Sequence, residues 1–155
     1  MRRAIAIAQE AVGKGDGAVP IGCVIVRGGE IIGEAGNEVA AWGDPTAHAE
    51  MVAIRQATKL VGVSLRGATL YSTLQPCGMC SMASIWAHVS RIVYSAERGQ
   101  VHSMYFEDRD IDTMDLIQDA VRDDMTFEGG VLSAESVGFY YKPGDDVPDQ
   151  EQGNR

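Results

Sequence analysis

Two short segments constrain this chain more than anything else in it: His48-Ala49-Glu50 and Pro76-Cys77-Gly78-Met79-Cys80. Between them they carry one imidazole, one carboxylate and two thiols, with His48 and Cys77 separated by 77 − 48 = 29 residues. Cys77 and Cys80 are spaced i, i+3, so on a helix they share a face, and Pro76 suits a helix start. At a helix N-terminus the free N–H groups and the dipole favour thiolate over thiol, and thiolate is the metal-binding form. Glu50 stands two residues after His48, and in mid-helix these two would point apart at ~100° per residue. At a first turn, side chains lean toward the N-terminus and both can flank a point just off the helix end. His48 is therefore expected at or near a first turn, with Asp44-Pro45-Thr46 as the capping segment.

Three protein ligands, His48, Cys77 and Cys80, leave a fourth position for water, which is the open, catalytic kind of zinc site. His88 and His102 are the only other histidines and Cys23 the only other cysteine, and none sits in a ligand motif. Either segment alone has other readings. A Cys-x-x-Cys pair also serves redox chemistry, Glu50 also suits a first turn as a dipole-complementing acid, and the ligand set accepts iron as well as zinc.

The rest of the composition narrows the class. A chain of 155 residues, 45% of them apolar, supports one domain with a full core. Its 13 basic residues against 22 acids leave a net charge of −9, poorly suited to phosphate backbones, which are held by Lys and Arg. A small neutral substrate is expected, and nucleic acid is not. No apolar run approaches the ~20 residues of a membrane span. The apolar start of the chain is broken at Gln9-Glu10 with no cleavage site after it, so no signal peptide is expected. With three cysteines and no export signal, a reducing cytoplasm is the expected location. Cys23, inside the apolar run Ile21 to Val26, reads as a buried structural thiol.

Periodicity predicts helices over 3–12 (Ile5, Ala8 and Val12 inward), 47–60 (Met51, Ile54 and Thr58 or Val61 inward), 77–87, 110–121 (Ile111, Met114 and Ile117 inward) and 133–141. Gly13, Gly15 and Gly17 end the first. Strands are predicted over 21–26, 30–35, 69–73, 91–95 and 125–128, the first two as a hairpin across Gly28-Gly29, and a polar loop over 36–45. Strand, helix, strand in the middle implies parallel pairing. The expected fold is α/β: a three-layer α/β/α sandwich around a five-stranded mixed sheet, antiparallel at the first hairpin and parallel after it. The domain spans 1–142, and the Pro-, Gly- and acid-rich stretch 143–155 is expected to be disordered or ordered only by a partner.

The combination H-x-E and P-C-x-x-C is the signature of zinc deaminases that act on nucleobases, and here the chain resembles the cytidine-deaminase-like superfamily over residues 3–141. Val19 to Val26 resembles the first strand of fungal cytosine deaminases and bacterial tRNA adenosine deaminases. Asp44 to Glu50 is similar to the latter and to bacterial guanine deaminases. Ile85-Trp86-Ala87, Tyr94-Ser95-Ala96-Glu97 and Tyr105-Phe106-Glu107-Asp108 lean toward guanine deaminases. Gln75, where many relatives carry Glu, departs from the pattern, and Gly129 to Leu132 with the helix after it looks more like the tRNA-editing branch.

The resemblance implies hydrolytic deamination with Zn2+ as cofactor and Glu50 as the catalytic proton carrier. It places Asn37, Ala49, Phe106 and Asp108 at the base. Asn37 has a second reading as a turn residue, Phe106 and Tyr105 as core, and Asp108 as part of a solvated acidic run. Trp42 either lines the pocket or packs, and Trp86 belongs to the core or to a subunit interface. The expected substrate is guanine, with cytosine or a nucleoside and then tRNA adenosine as alternatives, and a catalytically silent zinc-stabilised binding module as the reading from another class. A homodimer is expected, in which Tyr140 or Tyr141 could close the neighbour's pocket.

Overall fold

Alternate residues of the strands face opposite helical layers, and small residues let those layers approach closely. The computed structural model of the protein describes residues 1–12, 19–107 and 112–151. Strands β1 (Gly22–Arg27) and β2 (Glu30–Gly36) form the expected antiparallel hairpin. With β3 (Ala68–Leu74), β4 (Arg91–Ala96) and β5 (Thr126–Glu128) they make one sheet in the order β2-β1-β3-β4-β5. Pairing is antiparallel for β1 with β2 and also for β1 with β3, and parallel only from β3 onward. The expectation of parallel pairing directly after the hairpin is corrected by one strand. The crossover from β2 does bring β3 back in the same direction, but β1 lies between them, so β3 meets an antiparallel neighbour.

Helix α1 (Arg2–Ala11) covers one face of the sheet, and α3 (Ala49–Val61) and α4 (Gly78–Trp86) the other. Two glycines show how closely. A Cβ on Gly22 would lie 2.1 Å from the carbonyl oxygen of Ala4, and one on Gly33 2.4 Å from that of Ala53. Since Gly33 pairs with Ile25, Cys23 and Ile25 face α3 while Gly22 and Val24 face α1. The short α6 (Ser133–Ser136) lies on the α1 side, where the hydroxyls of Ser95 and Ser136 share a hydrogen bond of 2.7 Å. Three layers result, as the alternating elements predict.

Several local expectations are corrected. The polar loop contains a one-turn helix, α2 (Val39–Trp42). The buried face of α3 is Ala49, Val52, Ala53, Ile54 and Ala57, whereas Met51, Thr58 and Val61 are only partly covered; alanines let the helix backbone sit on Gly33. Val12 caps α1 and is 48% exposed rather than inward. α5 is shorter than expected, Thr113–Gln118, with Ile117 buried and Val121 fully exposed beyond it. Gly13, Gly15, Gly17 and Ile111 lie outside the described residues. The last helix stops at Ser136 and tightens into a 3-10 turn over Val137–Phe139. Trp86 is 78% exposed, which removes it from the core. In the stretch after Tyr141, Val147 is buried and Tyr141 donates its hydroxyl to Glu151 at 2.6 Å. Among the described residues no helix is long and apolar enough to cross a membrane.

Candidate metal centre

His48 and Cys77 occupy equivalent positions. Each is the extended residue immediately before a helix, His48 before α3 (φ −61, ψ 151) and Cys77 before α4 (φ −68, ψ 174), and neither side chain caps its own helix. Cys80 lies one turn into α4 and Glu50 is the second residue of α3, so two helix N-termini converge on one point. Asp44 and Thr46, expected to cap α3, instead close the turn before it: Asp44 Oδ1 accepts from Thr46 N at 2.8 Å and from its hydroxyl at 2.7 Å.

His48 Nδ1 is 3.7 Å from Cys77 Sγ and 3.6 Å from Cys80 Sγ. One ligand atom from each of the three residues lies within 4.8 Å of the others. Tetrahedral zinc, with Zn–N near 2.0 Å and Zn–S near 2.3 Å, places neighbouring ligand atoms roughly 3.5 Å apart. The donor set and its spacing therefore fit zinc with no rearrangement of backbone.

The charge distribution supports the same conclusion. Cys77 is drawn down to about 4, chiefly because Cys80 donates to its sulfur and also because the His48 ring lies beside it. Cys80 is pushed well up, by giving that hydrogen bond and by burial. His48 is raised by its bond to Cys77. The group thus holds protons that a metal ion displaces on binding. Glu50 is 3% exposed. Burial, then the charge of Cys77, pushes its carboxyl above the ordinary range, while His48 and Ser72 pull it back. Its Oε2 lies 3.5 Å from Cys80 Sγ, and its Oε1 accepts from Ser72 Oγ at 2.8 Å. A buried carboxyl whose pKa is raised, beside a cluster of metal-ligand side chains, is suited to taking and giving protons.

The residues expected at the base are more scattered in role. Ala49 is fully buried between His48 and Glu50. Asn37 is half-buried and its Oδ1 accepts from Val39 N at 3.2 Å, so it does serve as the turn residue that opens α2. Phe106 is buried with the guanidinium of Arg98 stacked 4.8 Å from its ring centroid. Asp108 lies outside the described residues. Trp42 is 55% exposed. Tyr140 does not reach outward: it is buried in its own chain, donates its hydroxyl to Thr73 Oγ1 at 2.8 Å, and meets Tyr105 edge to face at 5.4 Å.

Three polar residues near the site have no role in the sequence reading: Ser72, Thr73 and Gln75, the last noted there only as a departure from the family pattern. All are buried. Thr73 ties Gly22 N to Tyr140. Gln75 accepts from Arg98 N at 3.0 Å and donates to Asp112 at 3.1 Å and Thr113 at 3.3 Å. The available signal was a hydroxyl pair inside β3 and an amide directly after it, since buried polar groups require partners.

Comparison with known proteins fits this geometry. Residues 1–96 match the model of the cytidine and deoxycytidylate deaminase zinc-binding region. Guanine deaminase of Bacillus subtilis (strain 168) is 42% identical over 109 residues, 70% of this chain and 69% of that protein. A tRNA-specific adenosine deaminase of Aquifex aeolicus is 43% identical over 97 residues, 62% of this chain and 63% of that protein, so this match spans less than two thirds of its length. A solved structure from studies of A-to-I editing by tRNA:A34 deaminases superposes with a TM-score of 0.75 at 33% identity, over 90% of this chain and 96% of its own.

Proposed function

Because the chain belongs to the cytidine and deoxycytidylate deaminase zinc-binding family, we propose that it is a zinc-dependent hydrolase that deaminates a free nucleobase, with guanine as the substrate and xanthine and ammonia as products. The observation that carries the reading is the buried Glu50 carboxyl facing the gathered His48, Cys77 and Cys80. His48, Cys77 and Cys80 would hold the zinc, which when bound supplies Lewis acidity that makes water a nucleophile near neutral pH. Glu50 accepts the proton that water releases and delivers it to a ring nitrogen of the base. The hydroxide adds to the carbon bearing the amino group, Glu50 takes the remaining hydroxyl proton as the C=O bond forms and passes it to the departing nitrogen, and ammonia leaves as the C–N bond breaks. The free N–H groups at the start of α4 favour negative charge at the attacked carbon's oxygen. Asn37, Ala49, Phe106 and Asp108 are proposed to read the base.

Guanine is preferred over tRNA on two grounds. The guanine deaminase relative aligns over the longer stretch. In addition, Arg2, Arg3, Arg55, Arg66, Arg91 and Arg122 are each paired with an acid of the chain itself, so these six offer no unopposed charge to phosphates. Adenosine in tRNA is the second reading, favoured by the extent of the structural match to the editing deaminase. Ammonia release from guanine, cytosine, adenine, their nucleosides and an anticodon stem-loop separates the two. Release from guanine is expected, and activity on the RNA alone overturns the proposal. The reading includes a homodimer: Met82 and Trp86, four apart on α4, are 40% and 78% exposed and form an apolar stripe that a second copy would cover. Sedimentation should give twice the chain mass, and a monomer at micromolar protein would remove this part.

A further inference from the structure

We infer that Ser72 is a positioning residue for Glu50, dividing the work between its two carboxylate oxygens: Ser72 anchors Oε1 and thereby presents Oε2 to the metal side, where protons are exchanged. This rests on the deaminase reading for its kinetic consequence but on geometry for its content. Ser72 Oγ is 2.8 Å from Oε1, Cys80 Sγ is 3.5 Å from Oε2, and Ser72 and Glu50 are 0% and 3% exposed.

The pleat explains why Ser72 does this. Ser72 pairs with Cys23, whose side chain faces α3, so Ser72 points from β3 toward the first turn of α3. Its neighbour Thr73 points to the other layer, where it binds Gly22 N and Tyr140. The two adjacent hydroxyls thus serve different layers and do not substitute for each other. A hydroxyl is also the side chain that fits a proton carrier. It donates to a carboxylate and accepts from a carboxylic acid through its lone pairs, so the contact persists when Glu50 gains or loses its proton. A lysine, which only donates, or a carboxylate, which only accepts when ionised, would favour one state. Being attached to a central strand, Ser72 gives the carboxylate a fixed reference on a rigid element. Without it, Oε1 would lose this partner, and the carboxylate, left with the bond from its own backbone N–H, would be held less firmly about its last torsion, which is broad and two-fold.

The test uses the zinc-loaded full chain and the pair Ser72→Thr and Ser72→Val, which have nearly the same shape and differ by the hydroxyl, with Ser72→Ala as a smaller variant. Turnover in Ser72→Val is expected to fall about tenfold to a hundredfold, the range for a hydrogen bond to a charged group, with KM changed by less than about twofold. Ser72→Thr should recover most of the loss. Zinc content should match wild type in all three. In a Glu50→Ala background the valine substitution should add no further loss, because the residue through which Ser72 acts is gone. Crystal structures of zinc-loaded wild type and Ser72→Val should show the Glu50 carboxylate turned in the variant. Equal turnover in the Thr and Val variants, an undiminished effect of Val without Glu50, or an unmoved carboxylate overturns the inference. If the wild-type protein releases ammonia from no base, nucleoside or RNA, the deaminase reading fails separately, and the carboxylate position in the two crystal structures still decides the role of Ser72.

Discussion

The metal end of the molecule and the segment that follows β4 are built on different principles. At the metal end, the starts of α3 and α4 meet over the sheet and every functional group hangs from a helix N-terminus or a central strand. After β4 the chain runs through short 3-10 turns at Arg98–Gln100 and Ser103–Tyr105 before α5. It is fixed to the metal end by polar contacts such as the Gln75 amide, while Arg98 on Phe106 holds it within itself and Tyr105 packs on Tyr140, whose hydroxyl binds Thr73 of β3. The first arrangement is rigid and generic and suits chemistry that does not depend on which ring is bound. The second can change residue by residue without disturbing His48, Cys77 and Cys80, and under the proposed function it carries Phe106 and Asp108, two of the residues proposed to read the base.

Substitutions can break this contrast, the strongest at the metal end. Cys80→Ala leaves two ligands, and metal analysis should find little zinc while ammonia release becomes undetectable; full zinc content would refute the assigned ligand. Glu50→Gln should keep its zinc yet lose turnover by about 10²–10⁴-fold, the usual worth of a general acid–base, and a rate near wild type would remove the proton-carrier role. Gln75→Glu tests the junction of the two regions. It sets a second carboxylate where the amide now donates to Asp112 at 3.1 Å, so the denaturation midpoint should fall by the equivalent of ~1–3 kcal/mol, the cost of a buried hydrogen bond replaced by an unpaired group. An unchanged midpoint would mean that the brace is dispensable.

The smallest effect lies on the surface, far from this contrast. Arg122, with Arg66, holds the exposed Asp124 carboxyl at about 2, at contacts of 2.7 Å and 2.6 Å. A carboxyl depressed below its ordinary value of ~3.9 adds stability that is present above that value and lost as pH falls toward 2. Asp124→Asn should therefore flatten the acid limb of the stability curve slightly, and less so in high salt. A steeper limb in the variant would contradict the sign.

The metal-binding half of the site was legible because its groups are chemically uncommon and locally spaced. His48, Glu50, Cys77 and Cys80 needed only the rule that first-turn side chains lean outward to be placed together. The strands were legible by alternation, apart from the neighbour of β3, since a local pattern states direction but not which strand intervenes. The helix faces were less so: α3 buries alanines rather than Met51 because Gly33 across the sheet admits a close backbone, and that is a property of two elements at once. Asn37 was ambiguous in the sequence, and only its bond to Val39 N shows that its carbonyl is already engaged.

Residue identity and spacing by themselves determined that His48, Cys77 and Cys80 gather beside Glu50 and that the architecture is layered α/β, because residue chemistry and hydrophobic periodicity are local properties. The tertiary structure decided that one oxygen of Glu50 meets Ser72 and the other Cys80, that Gln75 ties β3 to the segment after β4, and that Tyr140 is buried in its own chain. Those facts depend on strand register and layer spacing, which set the distance between groups far apart in the chain and leave no trace in either segment alone.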